Sequence, residues 1–241
     1  MKRNHFKRFA ALALSAVCGA ACLTGCGTQP TAATALETIQ QPKTGSYEDW
    51  ELIQQIRQEN PASESTFTAL DHFAYTTAAQ VLGENADGSY SPLSLYYALA
   101  LAATGAAGET QTQMLDLLGI SDPAQLSDQC AKLYRLLSRD NEVGTLRLAN
   151  SLWMDQRVDW KQSFVTQAAQ DFYAEVYQVD FTTDEAPKAM AQWVAQQTGG
   201  LLTPTFQPTD QQVLSLLNTV YFKDEWYDRL QSNQTQSDIS S

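Results

Sequence analysis

Histidine is almost missing from this chain. Beyond the first 25 residues there is one, His72, in an apolar-periodic stretch beside Phe73. A zinc site built from several His and Cys ligands cannot be assembled from that, and a Ser-His-Asp triad would have to use His72. No glycine-rich phosphate loop of the Walker or dinucleotide type occurs. Cysteine is scarce too. Cys18 and Cys22 fall in an N-terminal leader, Cys26 follows it, and only Cys130 remains for the body, so no intramolecular disulfide can form there. A lone cysteine of this kind reads as a small buried apolar residue rather than a nucleophile. Basic residues are also few. From residue 26 onward, 11 Lys and Arg face 27 Asp and Glu, a net of −16. Such a surface repels phosphate and counts against nucleic-acid binding. Adjacent carboxylates, Glu48-Asp49 and Asp184-Glu185, fall in polar stretches and read as solvated. The expectation is a protein without metal or cofactor, and not an enzyme.

Long hydrophobic runs are lacking as well. The longest, residues 9–23, is too short to span a bilayer comfortably. It follows Lys2, Arg3, Lys7 and Arg8 and precedes Leu23-Thr24-Gly25-Cys26, the layout of a secretory signal peptide over residues 1–25. The tetrapeptide resembles a bacterial lipobox, which implies acylation of Cys26 and anchoring to a membrane on its extracellular side. Residues 26–62 then read as a tether, rich in Thr, Ala, Gln and Pro over 27–45, and a short helix carrying Tyr47, Trp50, Ile53 and Ile56, ended by Pro61.

What is present is a 44 % apolar chain, enough for one good-sized core. Residues 63–241 read as that domain. Phe67, Leu70, Ala74, Ala78 and Val81 follow the 3.6 period and predict a helix from Ser65 to near Gly83. A turn at Asp87-Gly88 and a short strand-like piece at Ser89-Tyr90 follow. Ser91-Pro92 then opens a helix over 93–104 that is apolar nearly all round and therefore buried. A helix over 109–118 ends at Gly119. Another starts at Asp122-Pro123, with Leu126, Cys130, Leu133 and Leu137 inward and Lys132, Arg135 and Arg139 elsewhere on it as a solvated face. The period then switches to two. Leu146, Leu148, Asn150, Leu152 and Met154 predict a strand, residues 161–173 a helix, 175–181 a strand, and 184–198 a helix with Met190, Trp193 and Val194. Residues 213–222 are nearly continuous apolar, which predicts a central strand covered on both faces. The order is that of an α+β fold.

Five stretches resemble the serpin family in order and spacing. Ser91-Pro92-Leu93-Ser94 with Gly105-Ala106-Ala107-Gly108-Glu109-Thr110 is similar to its second helix and the turn after it. Ala149-Asn150-Ser151-Leu152-Trp153 resembles the second strand of its main sheet, and Ala174-Glu175-Val176-Tyr177 through Phe181 the first. Trp193-Val194 with Thr198-Gly199-Gly200 resembles the helix that lies across that sheet, and residues 216–226 the third strand. Three positions depart from the family pattern: Ala191 for an Asn, Leu201 for a basic residue, and Thr219 where Ala is usual.

The resemblance implies a serpin-like fold and an inhibitor of serine proteases that acts as a suicide substrate. An exposed loop is cleaved, the protease is acylated, and the loop inserts as a new strand beside the third. It implies that Ser91 and Ser94 meet Asn218 in a shutter controlling sheet opening, and that Trp226 marks the top of the sheet, where insertion begins. It also implies that this chain holds only the helices and first three strands, a fragment lacking the reactive loop, so the 241-residue chain made alone is expected to be insoluble or oligomeric through an open strand edge. One alternative is a non-inhibitory serpin-fold lipoprotein used for binding or structure. Another, outside the family, is an extracytoplasmic solute-binding lipoprotein or surface hydrolase.

Overall fold

The computed structural model describes residues 33–83 and 88–225. Short polar side chains set most of the helix starts. Asp49 accepts from the Leu52 N–H at 3.0 Å and opens α1 (Trp50–Glu59); Ser63 accepts from the Thr66 N–H at 3.2 Å and opens α2 (Glu64–Leu82). Ser91 and Asp122 do the same for α3 (Pro92–Gly105) and α5 (Pro123–Leu137), each with proline in the first turn. Each cap satisfies one of the orphan N–H groups that a helix start exposes. Between them α4 (Gly108–Leu118) stops at Gly119, which is left-handed at φ 71° and lies so close to α2 that an added Cβ would meet the Ala69 Cβ at 3.0 Å.

One mixed sheet of five strands organises the rest. Its axis is β3 (Thr145–Asp155). On one side β3 pairs antiparallel with the whole of β5 (Leu214–Lys223), from Thr145↔Lys223 to Met154↔Leu214. On the other side it pairs parallel with β4 (Ala174–Val179) over residues 150–155, and antiparallel with the two-residue β2 (Arg139–Asp140) over residues 145–146. The parallel step requires a crossover, supplied by α6 (Gln162–Asp171). A two-residue β1 (Thr34–Ala35) adds antiparallel to the outer edge of β4.

The sheet separates two clusters of buried side chains. On one face Leu148, Leu152, Met154 and Val176 pack against α2, α3, α5 and α6, with Phe73, Tyr97, Cys130 and Phe172 at the centre. On the other face Ala149, Trp153, Tyr177 and Val179 pack under α7 (Glu185–Gln197) through Met190, Trp193 and Val194. Trp153 and Tyr177 stack at 4.5 Å between ring centroids. From Leu148 to Asp155 every residue of β3 is buried, because both faces are covered.

Several local expectations change. The buried face of α2 is Thr66, Ala69, Phe73 and Thr77; Phe67 and Val81 are about half exposed, because α3 and α4 contact the neighbouring stripe of the helix. Of the turn at Asp87-Gly88, Asp87 lies outside the described residues. Ser89-Tyr90 is not a strand: Tyr90 instead shares a 2.6 Å hydroxyl hydrogen bond with Thr77. Arg139 lies in β2, past the end of α5. Strand β5 has one partner, β3, among the described residues. Only Thr219 in it is fully buried and Phe222 is 64 % exposed, so β5 is an edge strand here and not a central one. Residues 33–45, which composition reads as tether, lie along the domain. The Leu36 N–H donates to the Val176 carbonyl at 2.8 Å, and Leu36 and Ile39 pack on the core. Glu37 accepts from Gln162 at 3.0 Å and from Thr166 at 3.3 Å on α6.

Candidate functional site: a polar chain across the sheet

Apolar packing between α3 and the sheet is interrupted by one line of polar side chains. Ser94, in the first turn of α3, donates its hydroxyl to Asn218 Oδ1 on β5. The other end of the Asn218 amide, Nδ2, donates to Asn150 Oδ1 on β3. Asn150 Nδ2 in turn donates to the carbonyl of Phe172 at 2.7 Å, the residue that ends α6 just before β4. Asn150 and Asn218 are direct partners in the ladder, so the register brings them together. The chain runs donor to acceptor without a break, and it joins α3 to two strands of the sheet and to the junction between α6 and β4. Asn150 is 4 % exposed, so little water can replace a lost partner.

Of the residues that the sequence singles out, Ser94 and Asn218 meet in this way. Ser91 does not reach Asn218; its hydroxyl accepts from the Ser94 N–H at 3.3 Å and caps α3. Cys26 and Trp226 lie outside the described residues. Asn150 is the member that the sequence reading passed over as a site residue. The signal available was an amide between apolar neighbours on a strand otherwise rich in Leu, a position where a polar side chain needs a buried partner.

Two other constellations complete the surroundings. Next to the chain, Tyr173 takes φ 52°, the one non-glycine residue with positive φ among those described; its ring stacks on Tyr134 at 4.2 Å and its hydroxyl accepts from Arg135 at 3.1 Å. At the far end of β3, Asp155 is buried and accepts from Arg157 through both carboxylate oxygens, at 2.7 and 2.9 Å. The Arg157 guanidinium bonds hold the Asp155 carboxyl below its ordinary range, against the opposing effect of burial. Neither constellation places a nucleophile beside a base. Burial pushes the Cys130 thiol up, with a smaller contribution from Asp171, which keeps it protonated and inert. The bases of α5 and its exit form no shared patch: Lys132 pairs with Asp128 at 2.7 Å, Arg135 also donates to Asn60, and Arg139 pairs with Asp224.

Comparison with known proteins agrees with this architecture. Residues 68–239 match the family described as Serpin (serine protease inhibitor). The chain belongs to the serpin family. Serpin B6 of Macaca fascicularis is 30 % identical over 155 residues, 61 % of this chain and 41 % of that protein. An uncharacterised serpin-like protein of Thermococcus kodakarensis is 27 % identical over 177 residues, 70 % of this chain and 41 % of that one. Among solved structures, an Arabidopsis serpin in its native stressed conformation superposes with a TM-score of 0.65 at 27 % identity, over 72 % of this chain and 47 % of that one. The thermophilic serpin tengpin in its native state shares the fold, with a TM-score of 0.65 at 24 % identity over 84 % of this chain and 49 % of that one. This serpin chain thus spans about two-fifths of the length of these curated relatives.

Proposed function

We propose that the full-length protein is a serpin-type inhibitor of serine proteases, not a catalyst, held on the outer face of a bacterial cell by lipid on Cys26. A target serine would attack the bait-loop carbonyl and the scissile C–N bond would break. The amine would leave with a proton, and the acylated loop would insert as a strand beside β5. The observation that carries this reading is the match of residues 68–239 to the serpin family, with β5 paired along its whole length to β3 as the strand beside which the loop would insert. The chain from Ser94 through Asn218 and Asn150 supports a shutter role, since sheet opening must move β3 and β5 against α3. Trp226, just beyond β5, is proposed as the top of the sheet, where insertion starts.

The test is incubation of the full-length protein with trypsin-like and elastase-like proteases. A complex that survives boiling in detergent, at the summed mass of inhibitor and acylated protease, is the expected result. Cleavage of the loop without a complex would instead assign the protein to non-inhibitory binding or structural use.

A further inference from the structure

Residues 33–45 decide how the domain can stand on a membrane. Their docking along β4 and α6 means that the chain joins the body at Thr34, opposite Gln178 near the end of β4. Gln178 is level with Met154 on β3, at one end of the sheet. The other end, where Thr145 pairs with Lys223, lies nine positions away, roughly 30 Å at the rise of a strand. The eight-residue step from Cys26 to Thr34 can span at most about 28 Å. An inverted domain, with its Lys223 end on the lipid, would need that step at full extension or more. A tether running freely to residue 45 would be more than twice as long and would permit any orientation.

We propose that the docked N-terminal strap fixes the orientation of the domain on the lipid surface. The end formed by the β4–α7 loop faces the headgroups, and the Lys223 end of β5 points away from the cell. The proposal rests on the lipid-anchor reading given above. The β4–α7 end carries Asp180, Asp184 and Glu185 against Lys188, so it is repelled by anionic headgroups rather than adhering to them. The strap, and not surface attraction, sets the geometry. With the anchor at this pole, the end of β5 that leads to Trp226 is the one presented to the medium, where secreted proteases arrive.

The experiment uses the lipidated protein purified from membranes and reconstituted into phosphatidylethanolamine–phosphatidylglycerol vesicles that carry a headgroup fluorophore. A donor dye is placed on D184C or on K223C, both at exposed positions; Cys130 is buried and does not compete. Energy transfer to the lipid is expected to be several-fold greater from position 184. Equal transfer, or more from position 223, overturns the proposal. An insertion of about 20 Gly and Ser residues after Thr28, adding roughly 25 Å of root-mean-square reach, is expected to shrink the difference. If the difference persists, orientation comes from direct adhesion and the strap argument falls. Flotation with the vesicles separates the two levels. Floating wild type and non-floating C26A establish the anchor independently of orientation, whereas a wild type that does not float removes the anchor reading and this proposal with it.

Discussion

Asn150 and Asn218 face each other across the β3–β5 ladder and join their amides side by side, with Ser94 at one end and the Phe172 carbonyl at the other. Removing either amide takes away one of the other's two partners.

N150A is therefore expected to destabilise the domain by about 2 kcal/mol, read as a fall in melting temperature of about 4–8 °C. S94A should cost less alone, because Asn218 lies only partly buried and can turn to water. In the double variant the losses should be less than additive, since both act on one chain. Additive losses in a double-mutant cycle would show that the three side chains act separately.

Thr219 carries a buried hydroxyl with no hydrogen-bond partner among the described residues. It stands in the ladder opposite Ala149, at a position where the family pattern has alanine. T219A removes the unsatisfied group and is expected to stabilise by about 1 kcal/mol, raising the melting temperature by about 2–4 °C. A drop in melting temperature would mean that the hydroxyl finds a partner after all.

The Asp155–Arg157 pair gives stability a pH dependence at its acid end. The folded pKa of Asp155 lies below the unfolded value, so its contribution is fully present above the ordinary carboxylate range of about 4. As pH falls through the lower folded pKa, protonation removes it. D155N is expected to lower the melting temperature at neutral pH and to narrow the gap from wild type as pH drops below about 4. A gap that stays constant with pH would assign the loss to packing alone.

The outer edge of β5 makes a further expectation concrete. Residues 27–241, expressed without the leader and Cys26, present ten residues of open strand with Phe222 exposed near its end. They should sediment as oligomers or collect in the insoluble fraction, and F222K should raise the soluble yield. A monomeric wild-type chain with a cooperative melt would show that this edge is covered by other means.

Much of this architecture is legible in the residues because local signals agree with one another. Ser91-Pro92 and Asp122-Pro123 carry both cap and first-turn chemistry, and each opens a helix at that point. The switch of period near Leu146 places β3 to within a residue. The misreadings share a cause, which is that long-range packing decides them. Phe67 and Val81 satisfy a helical stripe as well as Phe73 does, and only the position of α3 and α4 selects among stripes. An apolar run such as 213–222 reports high strand propensity and is silent on how many neighbours flank it. Residues 33–45 are polar and proline-containing, like a linker, yet two of them, Leu36 and Ile39, suffice to seat the segment once β4 offers an edge. In the site, Ser94 and Asn218 came from a resemblance, whereas Asn150 could have come from register, had the pairing of β3 with β5 been known.

That pairing also orders events in time. Lys223 must find Thr145, 78 positions earlier, while β3 meets β4 across a crossover of fewer than 20 residues between their ends. Short closures win over long ones when loop entropy sets the pace. As the chain is delivered from its N-terminus, β3, α6 and β4 can assemble while β5 is still to come. The side of β3 that will hold β5 then waits, hydrophobic and unguarded, and that interval is when this protein is most vulnerable.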